Sequence, residues 1–336
     1  MNSDLSTSIF GIPIKNPLIA AASPLTSQLE SIQKLRDAGV AAIILPSIFE
    51  EQIEHDEMEL ARLLDFWALS SPETSGYFPE LDNYNTGPDE YLERITRAKR
   101  MVEIPIVASL NGYSLGGWLR FAGLIEQAGA DALELNIYQV PVDPELSASG
   151  VELEMMEIIR SVSHELRIPV SVKIGHSYSS MANTVRELSR AGAKGIAMFN
   201  RYLSPDIDLE ARRFVPALEL SESDELRLAL RWLAIVRDQV DVTLIATGGV
   251  HTAIDIVKAV MAGADATAVA TILLRRGIEH ASQILQDLSD WLSIHEYASI
   301  AQMRGCLSWS HCPNPDALRR ANYMRALMSY TPSSPT

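Results

Sequence analysis

The chain is short of several things that would place it in a class at once. It has two cysteines, Cys306 and Cys312, in 336 residues. Two thiols cannot frame a disulfide scaffold, and the scarcity points to a reducing cytosol. No CxxC…CxxC pattern occurs, which argues against an iron–sulfur cluster on this chain. Neither cysteine has metal-ligand spacing with a histidine, so no metal site is expected. Basic residues are few: 28 Lys and Arg stand against 43 Asp and Glu, a formal net charge of −15. Nucleic acid and anionic membranes both select for a basic patch, so neither is an expected partner. No apolar run approaches the roughly 18 residues of a membrane span. The opening MNSDLSTSIFGIPIK lacks the basic region ahead of an apolar core that marks a signal peptide. A P-loop motif is absent, and low-complexity sequence is confined to TPSSPT at 331–336. Apolar residues are plentiful, at 47% of the chain. That much apolar surface can offset the entropy of ordering. The composition predicts a soluble, acidic, globular protein with a large core, expected in the cytoplasm.

One phrase recurs. DAGVAAIIL lies at 37–45, QAGADALEL at 127–135, RAGAKGIAM at 190–198 and MAGADATAV at 261–269. Each reads as a helix ending in Ala-Gly, where glycine suits a left-handed C-terminal cap, followed by a short apolar run. These runs are continuous rather than alternating, as in parallel strands buried on both faces. Four further runs fit between them: NPLIAAA at 16–22, IPIVASLN at 104–111, IPVSVKIG at 168–175 and VTLIATGG at 242–249. The eight strands are expected to end near Ala22, Pro46, Asn111, Asn136, Lys173, Asn200, Gly248 and Thr271. Eight βα units predict an α/β fold, a (β/α)8 TIM barrel. An open doubly wound sheet is the alternative. The barrel is expected over 1–308, with a C-terminal helical extension and tail at 309–336. A long insertion follows strand 2, about 47–103, and holds Trp67, Tyr77, Phe78, Asn83, Tyr84 and Asn85. Its acidic run at 49–64 reads as an amphipathic helix with a solvated face. A second long connection separates strands 6 and 7, and both leave the C-terminal face, where barrel enzymes keep their active sites.

Three asparagines and a lysine converge at strand ends: Asn111, Asn136, Asn200 and Lys173. A carboxamide donates and accepts, which suits reading the edge of a heterocycle. For any one asparagine the alternative is a plain turn residue. A lysine in the mouth is a clamp for developing negative charge. Its alternatives are a solvated strand end and the Schiff-base nucleophile of a lyase or aldolase. The strongest local signal is ATGGV at 246–250, followed by HTAID and a helix. Thr252 would cap that helix, with Asp255 completing a capping box. Paired glycines ahead of a helix expose N–H groups to an anion, and barrels commonly bind phosphate between the loops after strands 7 and 8. Ala270 and Thr271 supply the other half. A bound phosphate implies a phosphorylated ligand or cofactor, most simply FMN.

These residues together resemble the dihydroorotate dehydrogenase family of FMN-containing barrels. The likeness runs from about residue 9 to 308 and includes NPLIAAAS, DALELN at 131–136, VSVKIG at 170–175, Phe199-Asn200, ATGGVHTAID, GADATAVATILL and EYASIAQMRG at 296–305. The resemblance implies FMN across the barrel mouth, with Ala22, Ser47, Asn111, Asn136, Lys173, Asn200 and Thr247 against the flavin. Gly248, Gly249, Ala270 and Thr271 match the phosphate cradle. Asn83, Asn85, Asn136, Asn200 and Arg201 match substrate positions. The implied function is oxidation of dihydroorotate, or a related small carboxylated or pyrimidine-like CH–CH donor, in pyrimidine biosynthesis, by a homodimer. Lys173 would stabilise charge on the flavin. The chain departs from the family at two places. The fourth-strand stretch N-x-S-[CS]-P-N, whose cysteine or serine is the base, reads Asn136-Ile137-Tyr138-Gln139-Val140-Pro141 here. Gln139 therefore occupies the base position, and Tyr138 stands beside it. The lysine-serine pair on strand 2 reads Pro46-Ser47. These departures keep a second function in view: a barrel that binds FMN or another phosphate ligand without dihydroorotate turnover, as a sensor or complex subunit.

Overall fold

A computed structural model describes residues 3–53, 87–112, 114–137, 140–201, 205–215, 217, 219–316 and 322–328. Its centre is a closed barrel of eight parallel strands: β1 (Leu18–Ala20), β2 (Ala42–Phe49), β3 (Ile106–Asn111), β4 (Ala132–Asn136), β5 (Val170–Ile174), β6 (Gly195–Met198), β7 (Thr243–Thr247) and β8 (Ala266–Val269). Each strand pairs with its sequence neighbour, and β8 pairs with β1 to close the ring. The expected (β/α)8 barrel is therefore the fold, and the open sheet is excluded. The expected strand ends fall within a few residues of the observed ones.

The helices between strands are α1 (Leu29–Asp37), α2 (Pro88–Met101), α3 (Leu115–Gln127), α4 (Ala148–Glu165), α5 (Met181–Ala191), α6 (Leu226–Val236), α7 (Ala253–Ala262) and, after β8, α8 (His280–Ile294). The repeated Ala-Gly phrase ends four of them as expected: Gly39, Gly129, Gly192 and Gly263 all have positive φ. At such a turn a side chain would strain the backbone, and glycine does not. Burial divides the core into two layers. Leu133, Leu135, Val170, Val172 and Ile174 face outward and pack under the helices. Ile19, Ile44, Val107, Ala132, Ala197, Ile245 and Ala266 face inward and fill the barrel. Side chains alternate along each strand, so the outer layer being apolar forces the inner positions of β4 and β5, Glu134, Asn136, Ser171 and Lys173, into the barrel.

Two hairpins add to the barrel. Thr7–Ile9 pairs with Ile12–Ile14 and floors its N-terminal end, where the Phe10 N–H donates to Thr243 Oγ1 at 2.7 Å. Asp206–Asp208 pairs with Arg213–Val215 inside the long connection after β6. The first turn of the acidic run is not wholly solvated. Glu50 is buried and accepts hydrogen bonds from the backbone N–H and hydroxyl of Ser114 at the start of α3. The rest of that run, with Trp67, Tyr77, Phe78, Asn83, Tyr84 and Asn85, lies outside the described residues. So do Tyr138 and Gln139. Near the C-terminus, helix α9 (Asn322–Met328) presents Tyr323, Met324, Leu327 and Met328 to solvent rather than to the barrel's flank.

Candidate active site

The C-terminal ends of the strands enclose a cavity of about 360 Å³. This is in the size range of small-molecule and cofactor sites. Ala22 and Ser23 enter it after β1, Pro46, Ser47 and Phe49 from β2, Asn136 from β4 and Lys173 from β5. Phe199, Asn200 and Arg201 follow β6, Thr247 to Val250 follow β7, and Ala270 and Thr271 follow β8. Asn111 ends β3, half-buried and level with Phe49, and is not part of the cavity wall.

The floor of the cavity is a directed chain of hydrogen bonds. Asn200 Nδ2 donates to Asn136 Oδ1 at 2.7 Å, and Asn136 Nδ2 donates to Ser47 Oγ at 3.3 Å. Ser47 Oγ lies 2.7 Å from Ser109 Oγ in the barrel interior. The chain is anchored below by Tyr91 of α2, whose hydroxyl donates to the Ser109 carbonyl and accepts from the Ser109 N–H. Burial pushes the Tyr91 phenol well above its ordinary pKa, so it stays a neutral donor. Asn136 is held at both ends of its carboxamide and Asn200 through its Nδ2, so their remaining donor and acceptor sites have fixed directions.

Lys173 is in register with Asn136 on the neighbouring strand. Two residues below Asn136, Glu134 is buried in the barrel. Burial raises its pKa, while the nearby Lys173 ammonium pulls the other way. The lysine is thus a cation backed by a reluctant carboxylate.

The opposite wall is built from backbone. Gly248 and Gly249 have φ of 83° and 74°. A Cβ on Gly248 would meet open space, so its backbone faces the cavity. A Cβ on Gly249 would lie 2.5 Å from the Leu226 nitrogen, so that position is closed to any side chain. Among the described residues, neither glycine N–H meets an acceptor. The predicted capping box at α7 is present, and it has a consequence. The N–H groups of His251 and Thr252 both donate to Asp255 Oδ2. They are committed inside the helix cap, whereas the glycine N–H groups are left as donors on this wall. Ser221 and Thr271 complete it with hydroxyls. Arg201 is held by Glu225, with Nη1 at 2.6 Å from Oε2. Arg227 pairs with Asp224 on the surface and Arg231 is exposed, and neither lines the cavity.

Comparison with known proteins agrees with this geometry. A sequence model of the family described as Dihydroorotate dehydrogenase matches residues 4–292. The chain belongs to the dihydroorotate dehydrogenase family. It is accordingly a flavin-dependent oxidoreductase of the class that acts on CH–CH groups. Among its relatives are the catalytic subunit of dihydroorotate dehydrogenase B (NAD(+)) of Shouchella clausii, 27% identical over 91% of this chain and 99% of the relative, and that of Pyrococcus abyssi, 26% identical over 90% and 98%. Dihydroorotate dehydrogenase A (fumarate) of Lactobacillus delbrueckii subsp. bulgaricus is 26% identical over 77% of this chain and 84% of the relative.

Set against the dihydroorotate dehydrogenase pattern, the structure brings Ala22, Ser47, Asn136, Lys173, Asn200, Arg201, Thr247, Gly248, Gly249, Ala270 and Thr271 to one cavity. Pro46 is in the same wall. Asn83, Asn85, Tyr138 and Gln139 fall outside the described residues. Sequence reasoning quoted Phe199 and Glu134 only as parts of the family-like stretches, and missed Ser221 altogether. Ser221 sits in an unpatterned stretch, LELSES, with no motif to point at it. Glu134 was legible in principle, because a lone carboxylate inside an apolar strand pattern must enter the barrel.

Proposed function

We propose that the protein is an FMN-dependent oxidoreductase that removes hydrogen from a CH–CH bond of a small carboxylated, pyrimidine-like substrate. One observation carries this reading: a single cavity joins oriented amides and a lysine on one side to unpaired glycine N–H groups and hydroxyls on the other. Such a cavity suits a ligand that is planar at one end and phosphorylated at the other. Gly248, Gly249, Ala270 and Thr271 would hold the phosphate. Ala22, Ser47, Asn136, Lys173, Asn200 and Thr247 would hold the ring system. When bound, FMN supplies a two-electron acceptor for hydrogen leaving carbon.

The chain's own groups have definable tasks. The Lys173 ammonium is a fixed positive charge in a shielded mouth, where it stabilises negative charge more strongly than it would in water. The Asn200–Asn136–Ser47 chain orients the amides before a ligand arrives. Arg201 spends one nitrogen on Glu225 and offers its others to a substrate carboxylate, and the family resemblance adds Asn83 and Asn85 as substrate residues. At the base position Gln139 carries a neutral amide that does not take up a proton near pH 7. Dihydroorotate itself is therefore expected to be a slow donor.

A second reading, a barrel that holds FMN without dihydroorotate turnover as a sensor or complex subunit, is favoured by Gln139 and Pro46 together. Purified protein distinguishes the two. Flavin released on denaturation identifies the cofactor, and anaerobic mixing with dihydroorotate and a panel of dihydropyrimidine carboxylates reads the chemistry. Bleaching by any of them supports the first reading. Bound FMN that none of them bleaches supports the second, and a protein that never retains FMN overturns both. We also infer a cytoplasmic homodimer, supported by the exposed apolar residues of α9. A monomeric mass by light scattering would remove the dimer.

A further inference from the structure

Behind the glycine wall lies a group that no part of the mechanism above uses. His251 follows the Gly-Gly-Val turn and is almost completely buried. Its Nε2 is 3.1 Å from Ser221 Oγ, and Ser221 Oγ donates to Thr271 Oγ1 at 3.0 Å. The direction of this chain follows from counting protons. A serine hydroxyl carries one hydrogen. Ser221 spends it on Thr271, so His251 Nε2 must be the donor to Ser221. Thr271 then keeps its own hydrogen, and Thr271 and Ser221 both line the cavity. The proton of Thr271 is left free to point at an acceptor there. The main chain that carries the imidazole is fixed, because the His251 backbone N–H donates to Asp255 Oδ2, the carboxylate that caps α7.

We propose that His251 is a positioning residue for the ligand's phosphate, acting through Ser221 to aim the Thr271 hydroxyl proton at a phosphate oxygen. This rests on the cofactor reading above. In the reverse direction, with an Nε2 lone pair accepting from Ser221, Thr271 would turn its proton toward Ser221 and offer the phosphate only lone pairs. The Nε2–H form therefore converts the hydroxyl pair from a mixed donor and acceptor surface into one that selects an anion. Burial keeps the imidazole pKa below the ordinary histidine value. The neutral form with its single hydrogen on Nε2 is thus sufficient, and no charged histidine is required.

The test compares FMN with riboflavin, which has the same ring system and no phosphate. Apoprotein is titrated with each, and binding is read from quenching of flavin fluorescence. Wild type is expected to prefer FMN. His251→Leu and Thr271→Val are each expected to lower the FMN-to-riboflavin affinity ratio roughly tenfold, the loss of one hydrogen bond to a charged group. Riboflavin affinity should stay within twofold, which a general loss of structure would not produce. His251→Gln, which can place an amide donor toward Ser221, should recover most of the ratio. If His251→Leu fails to fold, Thr271→Val and His251→Gln still decide the matter. An unchanged ratio in Thr271→Val, or equal losses of both flavins, overturns the proposal and leaves the cofactor reading intact. Wild type that binds neither flavin overturns both.

Discussion

Two side chains set the chemistry at the residue scale. At the position that the family resemblance gives to the base the sequence has Gln139, and an amide has no proton affinity near neutral pH. Gln139→Cys supplies a thiol that can ionise, so dihydroorotate-dependent flavin reduction is expected to rise by about 10²-fold or more, the usual scale of general base catalysis. Stopped-flow bleaching of the flavin checks this, and no gain would mean that Pro46 or the ligand pose is the limiting departure. Glu134 is the second case. Its native pKa is raised by burial, so the folded protein binds its proton more tightly than the unfolded chain does. Stability therefore falls as pH rises from the unfolded value through the native one, and the cost is fully present above it. Glu134→Gln should remove that decline and stabilise the protein at neutral pH, as read from urea unfolding at several pH values. The same variant should weaken nothing at acidic pH, where Glu134 is already neutral.

At the scale of elements, the site depends on how closely the turn after β7 approaches the start of α6. Gly249 combines a positive φ with a backbone nitrogen where its Cβ would stand. Gly249→Ala is expected to cost about 1–3 kcal/mol in stability from strain and overpacking, and to weaken FMN retention. Gly248→Ala meets only open space and should cost about 1 kcal/mol, while still placing a methyl group in the cavity. Chemical denaturation of the two variants side by side separates the contributions. Much of this was legible in the sequence. The Gly-Gly turn, the Thr252 cap and the four Ala-Gly helix ends are local signals, and each appears where its pattern placed it. The commitment of the His251 and Thr252 N–H groups to Asp255 was not legible, because a capping box can leave or consume the donors beside it.

For the whole molecule, the barrel is closed at one end and functional at the other. Phe10 floors the N-terminal end, its ring packed against Gly195, where a Cβ would collide with it. Phe10→Ala is expected to destabilise the protein by about 3–5 kcal/mol without changing flavin affinity at temperatures where it stays folded, as read by equilibrium unfolding and flavin titration. The chain's formal charge is −15, and its anion wall consists of a few local donors. The sequence by itself determined the eight-unit barrel, because buried parallel strands and capped helices carry short-range signatures of period and cap chemistry. It also gave the identity of Gln139 at the position that the family resemblance assigns to the base. Only the tertiary structure decided that Ser221 meets Thr271 and His251, which stand 50 and 30 residues away from it, and that Glu134 lies beneath Lys173. It likewise took Asn111 out of the cavity wall. Those juxtapositions follow from ring closure and strand register, which no local pattern encodes.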